Sequence, residues 1–355
     1  MKTGLAIEDL AAEVMRENSV KLDYVVNSRD LRMETWHNNL FLRVLDQDSD
    51  RIEPLDISKN AHRQIAARLD IPAKYYSRML TQCPALLAEN VNHWFTHTPM
   101  HRMLRVLDGT MRAFVSNRYL RIDHHEVFCA VMPVLGDILG LQYVSCNITE
   151  QRMYIKIVNP NLQEQLAPDE IVQAGLVISN SETGCGSLMI QPMVYRPDTE
   201  SLFISKSVDI RRIHAGPVYS PNRNFLLRPE SFLSSQNPDF LRQVRDTVHT
   251  TINADTFAQI VDRMRAAKQL RMSAETIPAV VHTAGQALGI TKPEQDQVTQ
   301  QIYERNDFSL YGFANAVSVY SSNTESYDRA TALEGIGYNV LAMNSRQWER
   351  INQAA

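Results

Sequence analysis

The segment Met103-Leu-Arg-Val-Leu-Asp-Gly-Thr-Met-Arg-Ala-Phe-Val115 carries the strongest local signal in this chain. Two alternating apolar runs flank Asp108-Gly109, a pair that tolerates the positive φ of a two-residue turn, and together they specify a β-hairpin. A period of two places Arg102 and Leu104 on one face, with Met103, Arg105 and Leu107 on the other. Downstream, Asp123 is a helix N-cap, followed by a stripe at Val127, Phe128, Val131, Leu135, Ile138 and Leu139 that Gly140 stops. Tyr143–Ile148 and Met153–Val158 read as a second hairpin. Gly175–Asn180, Ser187–Val194 and Leu202–Val208 read as further strands, the last two parted by a corner at Pro197-Asp198.

On the N-terminal side, Leu5, Ile7, Leu10, Val14 and Met15 have helical spacing, while 21–26 and 40–45 alternate like strands. Ser58 begins a helix that ends before Pro72. Pro72 and Pro84 each open another, since the first helical turn tolerates proline. After residue 236 the period is helical throughout. Pro238 opens the first helix, Asp255 is expected to cap the second, and Ser273 and Thr291 to cap two more. Phe308–Tyr320 and Tyr327–Leu341 follow. The expected class is α+β: a mixed part over 1–100, a β-rich central core of hairpins around one long helix over 101–235, and a helical region over 236–355.

The chain has 355 residues, 44% hydrophobic and 21% charged, enough to bury a large core and too apolar for disorder. No apolar run is long enough to span a membrane, and the N-terminus lacks a secretory stretch, so a cytoplasmic protein with no membrane partner is expected. The four cysteines have no metal-ligand spacing and read as buried small hydrophobes. Net charge is −4, which excludes a generally cationic nucleic-acid binder. Its distribution is uneven: residues 200–272 carry net +4 and 273–355 net −4.

Three groups of residues could carry chemistry. Arg102, Arg105, Arg112, Arg118 and Arg121, beside Tyr119, combine guanidinium and aromatic types suited to phosphates and stacked bases. Arg211, Arg212 and His214 place two guanidiniums and an imidazole on neighbouring positions, suited to a bidentate grip on an anion or to pairing with internal acids such as Glu182. The loop Asn180-Ser-Glu-Thr-Gly-Cys-Gly186 offers donors, acceptors and turn glycines. It lacks the Gly-Lys-Ser/Thr of a phosphate loop and the Gly-x-Ser-x-Gly of a hydrolase elbow. His124-His125 lack further ligands for a metal and read as solvated or capping. No metal or cofactor is expected.

Residues Arg102–Glu126, Gly175–Leu188, Arg211–Gly216, Leu310–Val317 and Ile71–Tyr76 resemble the phage/plasmid-like family known as domain of unknown function 932. The resemblance extends over most of the chain and departs at Val194–Glu200. It implies a mobile-element origin and neighbours that handle DNA. The element order of 101–208 is also similar to the β-β-β-α core of single-strand annealing proteins. Three readings follow. The first is a non-enzymatic, homo-oligomeric accessory protein binding or annealing single-stranded DNA through the arginines, gathered by folding onto one open groove. The second is a module binding a host protein through the acidic C-terminal third. The third is an enzyme using Asn180–Glu182 with Arg211, Arg212 and His214.

Overall fold

The Asp108-Gly109 turn closes the expected hairpin, with φ of 48° and 74° at its two residues. The computed structural model describes residues 1–45, 54–205, 210–212, 225–227 and 238–353, with backbone alone at 210–212, 225–227, 238–241 and 353. Ahead of the hairpin come helix α1 (Ile7–Val20), strands β1 (Leu22–Asn27), β2 (Leu31–Trp36), β3 (Asn39–Val44) and β4 (Leu55–Ile57), and helices α2 (Lys59–Arg68), α3 (Ala73–Gln82) and α4 (Pro84–His97). The hairpin is β5 (His101–Leu107) and β6 (Thr110–Ser116). Helix α5 (His124–Gly136) then leads to β7 (Gln142–Ile148), β8 (Met153–Ala167), β9 (Glu170–Asn180), β10 (Leu188–Arg196) and β11 (Ser201–Ile204). Short strands β12 (Ile210–Arg212) and β13 (Phe225–Leu227) precede helices α6 (Pro238–Thr251), α7 (Ala254–Gln269), α8 (Ile277–Leu288), α9 (Lys292–Arg305), α10 (Leu310–Tyr320), α11 (Tyr327–Leu341) and α12 (Ser345–Gln353).

These strands make two sheets. One has the order β13-β1-β5-β6-β4-β3-β2, the other β11-β10-β9-β8-β7 with β12 also on β10. The mixed α+β class with a helical C-terminal region therefore holds. The expected division at residue 100 does not follow the sheets, because β5 pairs with β1 in register from Leu22↔Val106 to Asn27↔His101. Hairpin 101–116 belongs with the N-terminal strands, while 142–204 forms a sheet of its own.

Helices α2, α3 and α4 cover one face of the first sheet, packing Ile65, Met79, Leu87, Val91 and Phe95 against Met33, Leu42, Leu104, Val106 and Phe114. Helix α4 also caps the sheet's edge strand. The Asn92 Nδ2 donates to the Met33 carbonyl at 2.8 Å, and the Met33 N–H donates to Asn92 Oδ1 at 2.7 Å, so a strand edge that would template further pairing is occupied. The second sheet is covered on both faces. Leu10, Val131, Ile155, Ile178, Leu188 and Val248 form a core with α1, α5 and α6, and Val172, Val194 and Phe203 join Val261, Met264 and Phe313 of the C-terminal helices. Lys156 and Glu334, both fully buried, pair at 2.5 Å between β8 and α11.

Several local expectations need correction. Strands β2 and β4 and helix α12 are additional to the elements expected from the sequence. Helix α5 carries an internal Pro133 and ends at Gly136, short of the expected stop at Gly140. The α7 cap is Asn253, which accepts from the Thr256 N–H at 2.7 Å, and Asp255 sits in the first turn. Ser273 instead bonds Thr276 in the turn before α8, while Thr291 does cap α9 with Glu294 in a capping box. Of the four cysteines only Cys146 is buried, and Cys83 is exposed. Among the described residues, no helix is long and apolar enough to cross a membrane.

Phe95 has no exposed surface and stacks on Phe114, with centroids 5.9 Å apart. Phe95→Ala is expected to lower stability by about 3–5 kcal/mol, read as a lower midpoint of urea unfolding with the far-ultraviolet spectrum retained.

Candidate functional site

The exposed end of the first sheet and the loop after β9 meet over an interior cluster of charges. Strand pairing between β5 and β6 slips between Arg105 and Val106, so that Arg105 opposes Ala113 and Val106 opposes Met111, with Arg112 the extra residue. Such a bulge points successive side chains to one side. Met111 and Phe114 remain with the helices, while Arg112 joins Arg105 on the opposite face. Simple alternation could not have placed it there.

Eight buried charges meet on that face: Glu17, Lys21, Asp23, Arg105, Arg112, Arg121, Asp123 and Glu182. Four are positive and four negative. Arg105 donates to Asp23 at 2.9 and 3.2 Å, to Asp123 at 2.6 Å, and to the Glu182 carbonyl at 3.1 Å. Arg121 meets Asp23 at 3.0 Å, and Lys21 bridges Asp123 at 2.8 Å and Glu182 at 3.3 Å. Arg112 holds Glu182 Oε2 at 2.7 Å and Glu17 at 3.4 Å, while the backbone N–H of His124 donates to Glu182 Oε1 at 2.6 Å. Buried charges persist only when paired and hydrogen-bonded in this way.

Burial alone would raise the Glu182 carboxyl, but His124, Lys21, Arg105 and Arg112 reverse the direction and hold it well below the ordinary range. His124 is itself pushed down to about 4 by burial and is neutral at neutral pH, so Lys21 and the two arginines account for the reversal. Asp123 follows the same pattern: burial raises it, and Arg105 and Lys21 bring it below its ordinary value. Glu17 behaves differently. Burial pushes it up to about 7 despite Arg112, because that guanidinium lies nearer Glu182. Burial, with Asp123 beside it, likewise raises Glu126 to about 7.

Arg105, Arg112 and Arg121, expected on an open groove, are therefore interior and neutralised, and no phosphate reaches them in the folded protein. Tyr119 is also buried, donating to the Ser181 carbonyl at 3.0 Å, and has no free face for a base. In the 180–186 loop, Asn180 donates to the Ile122 carbonyl at 2.8 Å, Ser181 accepts from the Cys185 N–H at 3.0 Å, and both Glu182 oxygens are engaged. A carboxylate so held is a poor proton acceptor. His124, expected solvated or capping, is buried at 3.1 Å from Asn180. Among the described residues no group of three or more histidine, cysteine or acidic side chains is arranged for a metal. Arg211 and Arg212 lie on β12 opposite Met189 and Leu188, and His214 lies outside the described residues.

Arg118 and Arg102 have a different environment. A cleft of about 380 Å³ lies beyond the end of β6, lined among others by Gln64 and Arg68 of α2, Ser116, Arg118, Gly184 and Ser187. Arg68 and Arg118 are exposed and, among the described residues, no carboxylate lies within 4 Å of either. Arg102 is half-buried, 6.0 Å from the centroid of Phe114, another lining residue, and its pKa is lowered by burial and by Arg68. Arg68 and Arg118 thus share the cleft wall with no acid between them, and Arg102, outside the lining, lies close enough to Arg68 to feel its charge. Gly184, at φ 74°, comes so close to β6 that a Cβ would lie 2.9 Å from Val115, which keeps the cleft floor bare. Sequence reading missed Arg68. Its signal was faint: a cation ending a helix, normally explained by the helix dipole, with no acid three or four positions away.

No family model matches the chain, and neither a curated protein nor a solved structure matches it.

Glu182→Gln leaves Lys21 and Arg112 without their shared counter-charge and is expected to cost about 3–5 kcal/mol in denaturant unfolding. The pH profile has two limbs. Glu182 and Asp123, held low, contribute stability above the ordinary carboxylate range that is lost as pH falls through their folded values. Glu17 and Glu126, raised to about 7 from 4.5, contribute stability that is full below about 4.5 and lost as pH rises through about 7. Unfolding midpoints should therefore peak near the ordinary carboxylate value of about 4.5 and fall as pH rises from there through about 7, and the Glu17→Gln, Glu126→Gln double variant should flatten the upper limb.

Proposed function

We propose that this chain is a non-enzymatic accessory protein of the phage or plasmid kind that binds single-stranded DNA, gripping phosphates at the cleft of Arg68 and Arg118 with Arg102 beside it. One observation carries the reading. Every buried arginine among the described residues has a carboxylate partner, whereas these three have none. Unneutralised guanidiniums converging on a concave surface suit bidentate contact with phosphate oxygens. The overall charge of −4 makes the attraction local, which favours a bound strand crossing one patch over a duplex wrapped on the whole surface.

Strand β12 pairs Arg212 with Leu188, next in sequence to the cleft's Ser187, so this segment runs near the proposed contact. Compared with the arginines singled out from sequence, the contact moves outward: Arg102 and Arg118 stay in it, Arg68 enters, and Arg105, Arg112 and Arg121 hold the scaffold. The fuller form of the proposal is a homo-oligomer that lines such patches along a strand and promotes annealing.

Fluorescence anisotropy with a labelled oligothymidylate should give binding at low salt that weakens linearly in log–log form as salt rises. The Arg68→Ala, Arg118→Ala double variant should bind about tenfold more weakly and show a salt slope reduced by about 1. Arg265→Ala, on an exposed helix elsewhere, should bind like the parent. An absence of binding at low salt, or a double variant with unchanged affinity and slope, removes the proposal.

A further inference from the structure

We infer a second binding site, for a small zwitterion of the free amino-acid type, in the cleft between the second sheet and helices α8 and α11. The cleft encloses about 490 Å³. On α11, Asp328, Thr331, Ala332, Gly335 and Ile336 line it at helical spacing, one face of the helix. Ala332 and Gly335 present almost no side chain, so this wall stands back from Val177 and Ile204 on the sheet.

The charges in the cleft define its ligand. Its lining includes one guanidinium, Arg152, and one carboxylate, Asp328, so its net charge is zero. That balance disfavours a phosphate and separates this cleft from the arginine cleft described above. The two charges do not neutralise each other, since no ion pair within 4 Å joins them. Asp328 Oδ1 accepts from the hydroxyls of Tyr154 at 2.9 Å and Thr149 at 3.1 Å, leaving Oδ2 without a partner among the described residues. Arg152 is anchored through its second nitrogen, which donates to the Cys185 carbonyl at 3.0 Å. Its NH1 nitrogen and the Thr331 hydroxyl are both enclosed and have no hydrogen-bond partner.

An enclosed polar atom without a partner is costly, and a ligand that supplies the partner recovers that cost as affinity. A carboxylate placed toward Arg152 and Thr331, with an ammonium toward Asp328, satisfies all three unpartnered positions at once after a small rotation of the guanidinium. Between and beyond them the lining is aliphatic, with Val177, Ile204, Leu288 and Ile336, which suits a side chain such as that of leucine or methionine. Arg152 also holds the 180–186 loop from behind, so occupancy of this site bears on the loop that floors the arginine cleft.

Calorimetric titration of the full chain with L-leucine, isocaproate and isoamylamine tests the assignment without any mutation. These share the aliphatic group and carry both charges, the negative charge alone and the positive charge alone. Leucine should bind at a single site, and each singly charged analogue about tenfold or more weakly. Asp328→Asn should abolish the preference for leucine over isocaproate while leaving the circular dichroism spectrum unchanged. No saturable heat from leucine or L-methionine at millimolar concentration overturns the inference, as does isocaproate binding as well as leucine, or an Asp328→Asn protein that keeps the preference. The result is independent of whether the chain binds DNA.

Discussion

Glu182 holds the two halves of this molecule together. It sits at the end of a strand of the second sheet, yet its oxygens are taken by Lys21 at the start of the first sheet, Arg112 in its central hairpin, and the first turn of α5. With it, the buried cluster holds four cations and four acids. A cluster of this kind gives little net stability over a well-packed apolar interior, because desolvation offsets most of the attraction. What it enforces is geometry. Each cation has its acids at fixed positions, and a displaced strand would strand a bare charge in a low-dielectric interior. The bulge at Arg112 serves that end, turning onto the ionic face a side chain that regular pleating would have sent into the helices.

The same cluster determines what is left for function. A stretch rich in arginine invites the expectation of a basic surface, but here most of the guanidiniums are structural. Those on the outside lie at a cleft whose wall includes Tyr119 and the Gly184 turn. The proposed contact with DNA therefore rests on a well-tied floor: the residues beneath it are held by the ion pairs of the cluster, and Gln64 ties β6 to the loop through Phe114 N–H and the Thr183 carbonyl. Binding there requires little rearrangement, so the ordering cost of association is small.

How much could be read beforehand depends on the range of the interaction. The hairpin turn at Asp108-Gly109, the Asp123 cap of α5, the proline-opened helices and the helical C-terminal region are all set by neighbours a few residues apart, and they were legible. The ownership of 101–116 by the N-terminal sheet was not, because it depends on pairing with β1 some 80 residues earlier. The arginines illustrate the limit most sharply. Arg105 and Arg118 look alike in sequence. One faces Asp23 and Asp123, the other solvent, and the difference arises from carboxylates that pairing with β1 and the start of α5 bring to Arg105. Asn180 and Glu182 were legible as a polar loop, but their partners were not.

Strand β1 has a consequence for how the chain is made. It lies between β5 and β13, bonded through Val25 to Met103 on one side and to Phe225 on the other. A ribosome releases the N-terminus first, so β1 emerges long before its outer neighbour exists. Until residue 227 clears the exit tunnel, one flank of that strand stays open to whatever extended peptide is nearby. The nascent protein is most exposed to mispairing in that interval, and a chaperone acting on it would have reason to engage the front of the chain while the middle is still being translated.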